Sequence, residues 1–204
     1  MRVLVPGGTA GAPALLLREF RAEDEAAARA AHRELAPENF DFLLEPDLAP
    51  HPAHDRVEPA AAGTGARGPA GVAWADWLRH QAATARGEDL PPGRVPAWFL
   101  AAEVDGELVG RVSVRLDLND WLYSVGGHIG YAVRPAFRRR GYAARILRGG
   151  LEVLRRERGL DEAVVVCDPD NGASAAVIRS VGGVLAPVEG SEYNLRFEVP
   201  VPAR

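Results

Sequence analysis

The chain contains no lysine; all 24 of its residues with fixed positive charge are arginine. A P-loop needs a lysine behind its glycines, so that phosphate chemistry is excluded. Cysteine occurs once, at Cys167, so no disulfide can close within the chain, and a reducing, cytoplasmic setting is the default expectation. No apolar run approaches the length that crosses a bilayer. Residues 1–14 place Pro6, Gly7 and Gly8 where a secretory leader has its apolar centre, so none is expected. A basic excess is missing too: 28 acidic residues against 24 arginines leave a net charge of −4. Neither nucleic acid nor a membrane surface is an expected partner. His51 and His54 have H-x-x-H spacing but lie in a Pro- and Ala-rich stretch with no cysteine nearby, so no metal site is expected.

A length of 204 residues fits one domain with a sizeable core, and residues 1–204 are read as such. The pass along the chain predicts a strand at 15–20, a helix at 23–35 and a short aromatic stretch at 39–43. Residues 45–70 form a long Pro/Ala/Gly-rich loop, followed by a helix at 71–86. Strands at 97–104 and 107–116 flank Asp105-Gly106, a hairpin signal. A strand at 128–133, a helix after Gly141, a strand at 163–167, a helix after Asn171 and closing strands at 184–186 and 193–201 complete the order. Trp74 and Trp77 fall at helical spacing and read as core.

The most informative stretch is 126–185. Arg134 and Pro135 turn the strand out, and Arg138-Arg139-Arg140-Gly141-Tyr142-Ala143 opens the helix. A helix start presents N–H groups without intrahelical partners, reinforced by the helix dipole. It is a ready anion site. Gly141 permits a tight turn and a close ligand, Ala143 is small, and Arg138, Arg139 and Arg140 add charge suited to phosphate. Leu147, Gly150, Leu151 and Leu154 share one helical face; Arg145, Arg148, Arg155, Arg156 and Arg158 read as a solvated one. A pyrophosphate is the expected ligand.

The spacing Arg138-x-x-Gly141-x-Ala143, with the flanking GHIGYAVRP and VVVCDPDNGASAAVI segments, resembles the GNAT superfamily of N-acetyltransferases. The resemblance is specific from about residue 100 to about 185, and 97–185 is taken as the acetyl-CoA-binding core. It implies an α/β fold, α+β by some conventions. That fold has a mixed, twisted sheet of about seven strands with helices on both faces, its fourth and fifth strands splayed. It implies acetyl-CoA as co-substrate, its pyrophosphate on the N–H groups of Arg139 to Ala143 and its pantetheine along Ala132, Val133 and Arg134. Asn171 and Ser174 would touch the pantetheine or phosphate arm, and an N–H near Val133 would polarise the thioester carbonyl. The acceptor implied is the primary amine of a small molecule, attacking directly. Dimers are common among such proteins, so a homodimer is a further expectation.

Transfer needs one group to take a proton from the acceptor and one to give a proton to the thiolate. The family's usual acid is a tyrosine on the helix after the fifth strand; here that position is Ile178. Tyr131, Tyr142, Tyr193 or water are the replacements, and the candidate bases are His128 and Asp168, or a Glu or Asp of the amino-terminal half acting through water. His128 also reads as a buried structural histidine, and Cys167 as a small buried hydrophobe. The competing function is a non-catalytic acyl-CoA-binding or sensor module that kept the cradle and lost the acid.

Overall fold

The computed structural model describes residues 1–7, 13–43, 73–88 and 90–203. Its strands are β1 (Arg2–Val5), β2 (Leu15–Glu19), β3 (Ala97–Val104), β4 (Glu107–Arg115), β5 (Ile129–Val133), β6 (Glu162–Cys167), β7 (Val184–Leu185) and β8 (Leu195–Pro200). The helices are α1 (Glu25–Leu35), α2 (Trp74–Arg86), α3 (Tyr142–Arg158) and α4 (Gly172–Ser180). The strands form two antiparallel sheets, ordered β1-β2-β3-β4-β5 and β6-β8-β7.

Strand alternation divides the first sheet into two faces. Leu100, Val112, Val114 and Ile129 pack with Ile146, Leu147, Leu151 and Leu154 of α3 in one core. Phe99, Ala101 and Ala132 face the other way, onto Ala28, Ala31 and Leu35 of α1 and Trp74 and Trp77 of α2. Helices thus cover both faces, as expected. Trp74 and Trp77 stack with centroids 4.5 Å apart and belong to this core. Their indole N–H groups donate to Arg21 O and Leu43 O, which satisfies their polar atoms.

The sequence reading and the fold differ at a few places. β1 was not anticipated: its four residues carry only Val3 and Val5 inward, too little alternation to register as a strand. It brings the strand count to eight in two sheets rather than about seven in one. The α2 helix starts at Trp74, and 45–70 lies outside the described residues, as do His51 and His54. Arg145 is not solvated. It is buried and donates to Val5 O and Pro13 O, tying α3 to the amino-terminal strands. The Asp105-Gly106 turn holds, with positive φ at both residues as a tight hairpin requires.

Candidate acyl-donor and acceptor site

β5 and β6 lie in different sheets, joined by the α3 crossover, and no ladder pairs them. They are fastened at the entry to β5. His128 N–H donates to Val164 O (2.7 Å), and Val164 N–H donates to His128 Nδ1 (2.9 Å). Past that pin the strands part. The Arg115 N–H donates to His128 O and the Arg134 N–H to Val109 O, so even-numbered positions of β5 direct their backbone groups at β4. By alternation, Tyr131 and Val133 turn theirs toward the gap.

The far end of the gap meets the start of α3. Arg139 (φ 64) and Gly141 (φ 76) are both left-handed, which curls the loop. Among the described residues, no protein acceptor takes the N–H groups of Arg139, Arg140, Gly141, Tyr142 or Ala143. A side chain at Gly141 would meet no atom within 4 Å, so the ground in front of these donors is open. The arrangement is a concave set of N–H donors at a helix N-terminus, suited to a phosphate-type anion.

The arginines of the loop divide their work. Arg134 pairs with Glu34 (3.0 and 2.6 Å) and Arg138 with Glu38 (2.8 and 2.8 Å), both bidentate, strapping the loop to the end of α1 and the turn after it. Arg138 is therefore held by a carboxylate, where the sequence alone pointed to a phosphate grip. Being half exposed, its pair is worth only about 0.2–1 kcal/mol. Arg140 lies over Phe137 (5.6 Å) and donates to Ala136 O. Arg139 is exposed. The Tyr142 ring lies under the Arg145 guanidinium, 5.7 Å away.

Across the gap, the Tyr131 hydroxyl reaches Ser174 Oγ (3.3 Å) on α4. Burial, opposed by that bond, pushes the phenol up to about 12, so Tyr131 carries its proton at neutral pH. Asn171 caps α4, its Oδ1 accepting from Ser174 N–H (2.9 Å). Asp168 is exposed at the exit of β6, and its carbonyl accepts from Asn171 N–H. Half-buried Cys167 ends that strand, its thiol pKa raised chiefly by burial. Ile178 is fully buried in the core, and Tyr193 is 70% exposed before β8. Thus Tyr131, Ser174 and Asn171 come together, and Tyr193 stands on the surface.

His128 is 8% exposed, and burial pushes its pKa down from 6.5 to about 4. Its Nδ1 is already occupied as an acceptor. The folded-state value lies below the unfolded one, so the unfolded chain binds the proton first as pH falls. The stability contribution is complete above pH 6.5 and is lost progressively toward pH 4. Unfolding free energy should therefore drop by about 2 kcal/mol between pH 6.5 and about pH 5, before most carboxylates titrate. Urea titrations at the two pH values check this; the same drop in His128→Asn would sink the assignment.

The opposite face of β5 carries a residue that sequence reasoning missed. Arg111 of β4 is 3% exposed, with its guanidinium between the rings of Phe40 (4.9 Å) and Phe99 (5.2 Å). It donates to Ser113 Oγ, Gly130 O and Asp41 O. The only hint in the sequence was an arginine within a valine-rich strand, a pattern equally typical of an outward residue. Among the described residues no group of three His, Cys, Asp or Glu side chains is placed to hold a metal. None of their helices is long and apolar enough to cross a membrane.

A family model described as acetyltransferase (GNAT) domain matches residues 14–184. The chain belongs to the GNAT acetyltransferase family. No curated protein matches it in sequence. Solved GNAT structures do match in fold. RimL, a ribosomal L7/L12 alpha-N-protein acetyltransferase in complex with coenzyme A, has 16% identity, covers 98% of each chain and gives a TM-score of 0.59. RimJ of Mycobacterium smegmatis, in complex with CoA-disulfide, has 20% identity over 92% of this chain and 82% of its own, with a TM-score of 0.58. MccE, the microcin C7 self-immunity acetyltransferase in complex with acetyl-CoA and AMP, has 14% identity over 92% of each chain, with a TM-score of 0.55. At these identities the likeness concerns the fold. As a GNAT enzyme the chain is an N-acetyltransferase, and the open gap beside the helix start is the place to look for its chemistry.

Proposed function

We propose that this GNAT protein transfers an acetyl group from acetyl-CoA to the primary amine of a small molecule. The observation that carries the reading is the unpaired gap between β5 and β6, ending on the five free N–H groups of Arg139 to Ala143. Those N–H groups hold the pyrophosphate, with Arg139 and Arg140 at its rim and Arg138 drawn from Glu38. The pantetheine arm lies along Ala132, Val133 and Arg134 as an added strand, between β5 and the Asn171–Ser174 end of α4. Acetyl-CoA supplies the activated acyl group, and the Val133 N–H, turned into the gap, polarises its carbonyl.

Direct attack forms the C–N bond and breaks the C–S bond, so the leaving thiolate needs a proton. Tyr131 fits that task by position: it borders the gap and its hydroxyl reaches Ser174 across it. His128 is the strand pin, buried and neutral, with its Nδ1 lone pair already spent. Proton removal from the acceptor falls to Asp168 or to water at the open end. Residues 97–185 supply the donor half of the site, and the amino-terminal helices wall the acceptor half, within a single domain.

Calorimetric titration with acetyl-CoA, followed by thiol release against a panel of amines, tests the reading. Binding with amine-dependent release is expected; absence of binding would overturn it. Tyr131→Phe should lower kcat by about 10²-fold with acetyl-CoA affinity unchanged. An unaltered kcat would remove Tyr131 from the mechanism.

A further inference from the structure

Arg111 carries a buried charge whose hydrogen-bond partners are all neutral. Its three acceptors are a hydroxyl and two backbone carbonyls; among the described residues no carboxylate is hydrogen-bonded to it, and the Asp41 charge acts on it from a distance. The Nε atom is buried with no hydrogen-bond partner. Desolvation pushes its pKa down to about 9, opposed in part by the charge of Asp41. Buried guanidinium groups ordinarily rest on an anion. The other buried arginines divide: Arg18 sits between Asp24 and Glu103 and Arg196 pairs with Glu198, whereas Arg145 rests on the backbone carbonyls of Val5 and Pro13 and ties α3 to the amino-terminal segment.

The position of Arg111 matters as much as its charge. It is in register with Ala132 of β5, and its guanidinium hangs over Gly130 O (3.4 Å). Gly130 and Ala132 are small, so on this face β5 is a flat floor, covered at Ala132 by the α1 core and without a side chain at Gly130. Tyr131 and Val133 point their side chains to the opposite face, with the α3 core. An acceptor on the floor side would thus meet the gap from the face opposite Tyr131. The present cover is the segment at Phe40 and Asp41, whose contact with the guanidinium is the Asp41 carbonyl (3.1 Å), a neutral oxygen where an anionic one would bind more strongly. His32 lies in the same cluster, buried, with neither ring nitrogen hydrogen-bonded and Nδ1 3.4 Å from Asp41 Oδ1.

We infer that Arg111 is the acceptor's anion site: the amine that is acetylated carries an acidic oxygen group, a carboxylate or a phosphate, which Arg111 binds on the face of β5 opposite Tyr131. The inference rests on the acetyltransferase reading above. The acceptor's anion replaces the Asp41 carbonyl on the guanidinium, and its amine extends past Gly130 toward the gap. Specificity follows from the same geometry, since a neutral analogue leaves the cation as it was.

The test compares matched amines by thiol release from acetyl-CoA: glycine, β-alanine and p-aminobenzoate against their amides, and phosphoethanolamine against ethanolamine. In at least one pair the anionic member should show kcat/KM higher by about 30-fold or more. The pair that responds tells carboxylate from phosphate. Arg111→Met should bring that pair to within about threefold by raising KM, with acetyl-CoA affinity retained, and Arg111→Lys should keep part of the preference. Should Arg111→Met fail to fold, the wild-type pairs and Arg111→Lys still decide. Equal rates within every pair, amides preferred, or no anionic amine acetylated by protein that binds acetyl-CoA would each overturn the Arg111 site and leave the acetyltransferase reading standing. Wild-type protein that does not bind acetyl-CoA would bring down both.

Discussion

Replacing Gly141 by valine is expected to weaken acetyl-CoA binding by about a hundredfold while leaving a folded protein. Gly141 has φ 76, a conformation that a β-branched residue adopts only under strain of roughly 1–3 kcal/mol. No atom lies within 4 Å of the added Cβ, so the fold is not forced apart. What changes is the cradle. Relief of the strain rotates the peptides on either side of residue 141, and the side chain stands where the phosphates approach. Two charge-assisted hydrogen bonds, lost or bent, account for an effect of this size. Calorimetry with acetyl-CoA, beside a thermal melt, separates the outcomes. Unchanged affinity would mean that the anion lies elsewhere.

Gly110→Ala should act in the opposite way, through the fold first. A Cβ at Gly110 would stand 2.2 Å from the Ala132 carbonyl oxygen and 3.1 Å from Ile146 Cδ1. The first contact is backbone, which cannot step aside as a side-chain tip can. β4 and β5 would have to separate at the register pair Gly110–Val133, beside the irregularity in the β3–β4 ladder. We expect a loss of about 3 kcal/mol or more in unfolding free energy, at the high end for overpacking. Val133 would move with β5, so acetyl-CoA affinity should fall as well. Denaturant titration reads the first effect and calorimetry the second; a variant as stable as wild type would show that the two strands yield freely there.

The two glycines illustrate what the sequence could and could not disclose. The turn at Gly141 was legible because it is local: a glycine before an amphipathic run marks the start of a helix. Gly110 sits unremarked in a strand, since the oxygen that excludes a side chain belongs to residue 132, across the ladder. The same division runs through the site. The hairpin at Asp105-Gly106, the α3 face and the Asn171 cap follow from neighbouring residues. The occupation of Arg138 by Glu38, the pinning of His128 by Val164 and the enclosure of Arg111 by Phe40 and Phe99 depend on contacts between distant segments. Periodicity carries no record of such contacts. Arg145 misled for this reason: on a helical wheel it reads as surface, and only the docking of β1 buries it.

The carboxylate straps have a consequence for how the protein is made. Glu34 and Glu38 meet Arg134 and Arg138, each pair exactly one hundred positions apart in the chain. Contacts of that span form late, because a long loop must close before they bring any gain. During synthesis α1 leaves the ribosome long before its arginine partners exist, and must wait. Competence to bind a nucleotide-like ligand should therefore be acquired in one late step, when the two halves of the chain dock, rather than growing with the length of the nascent polypeptide.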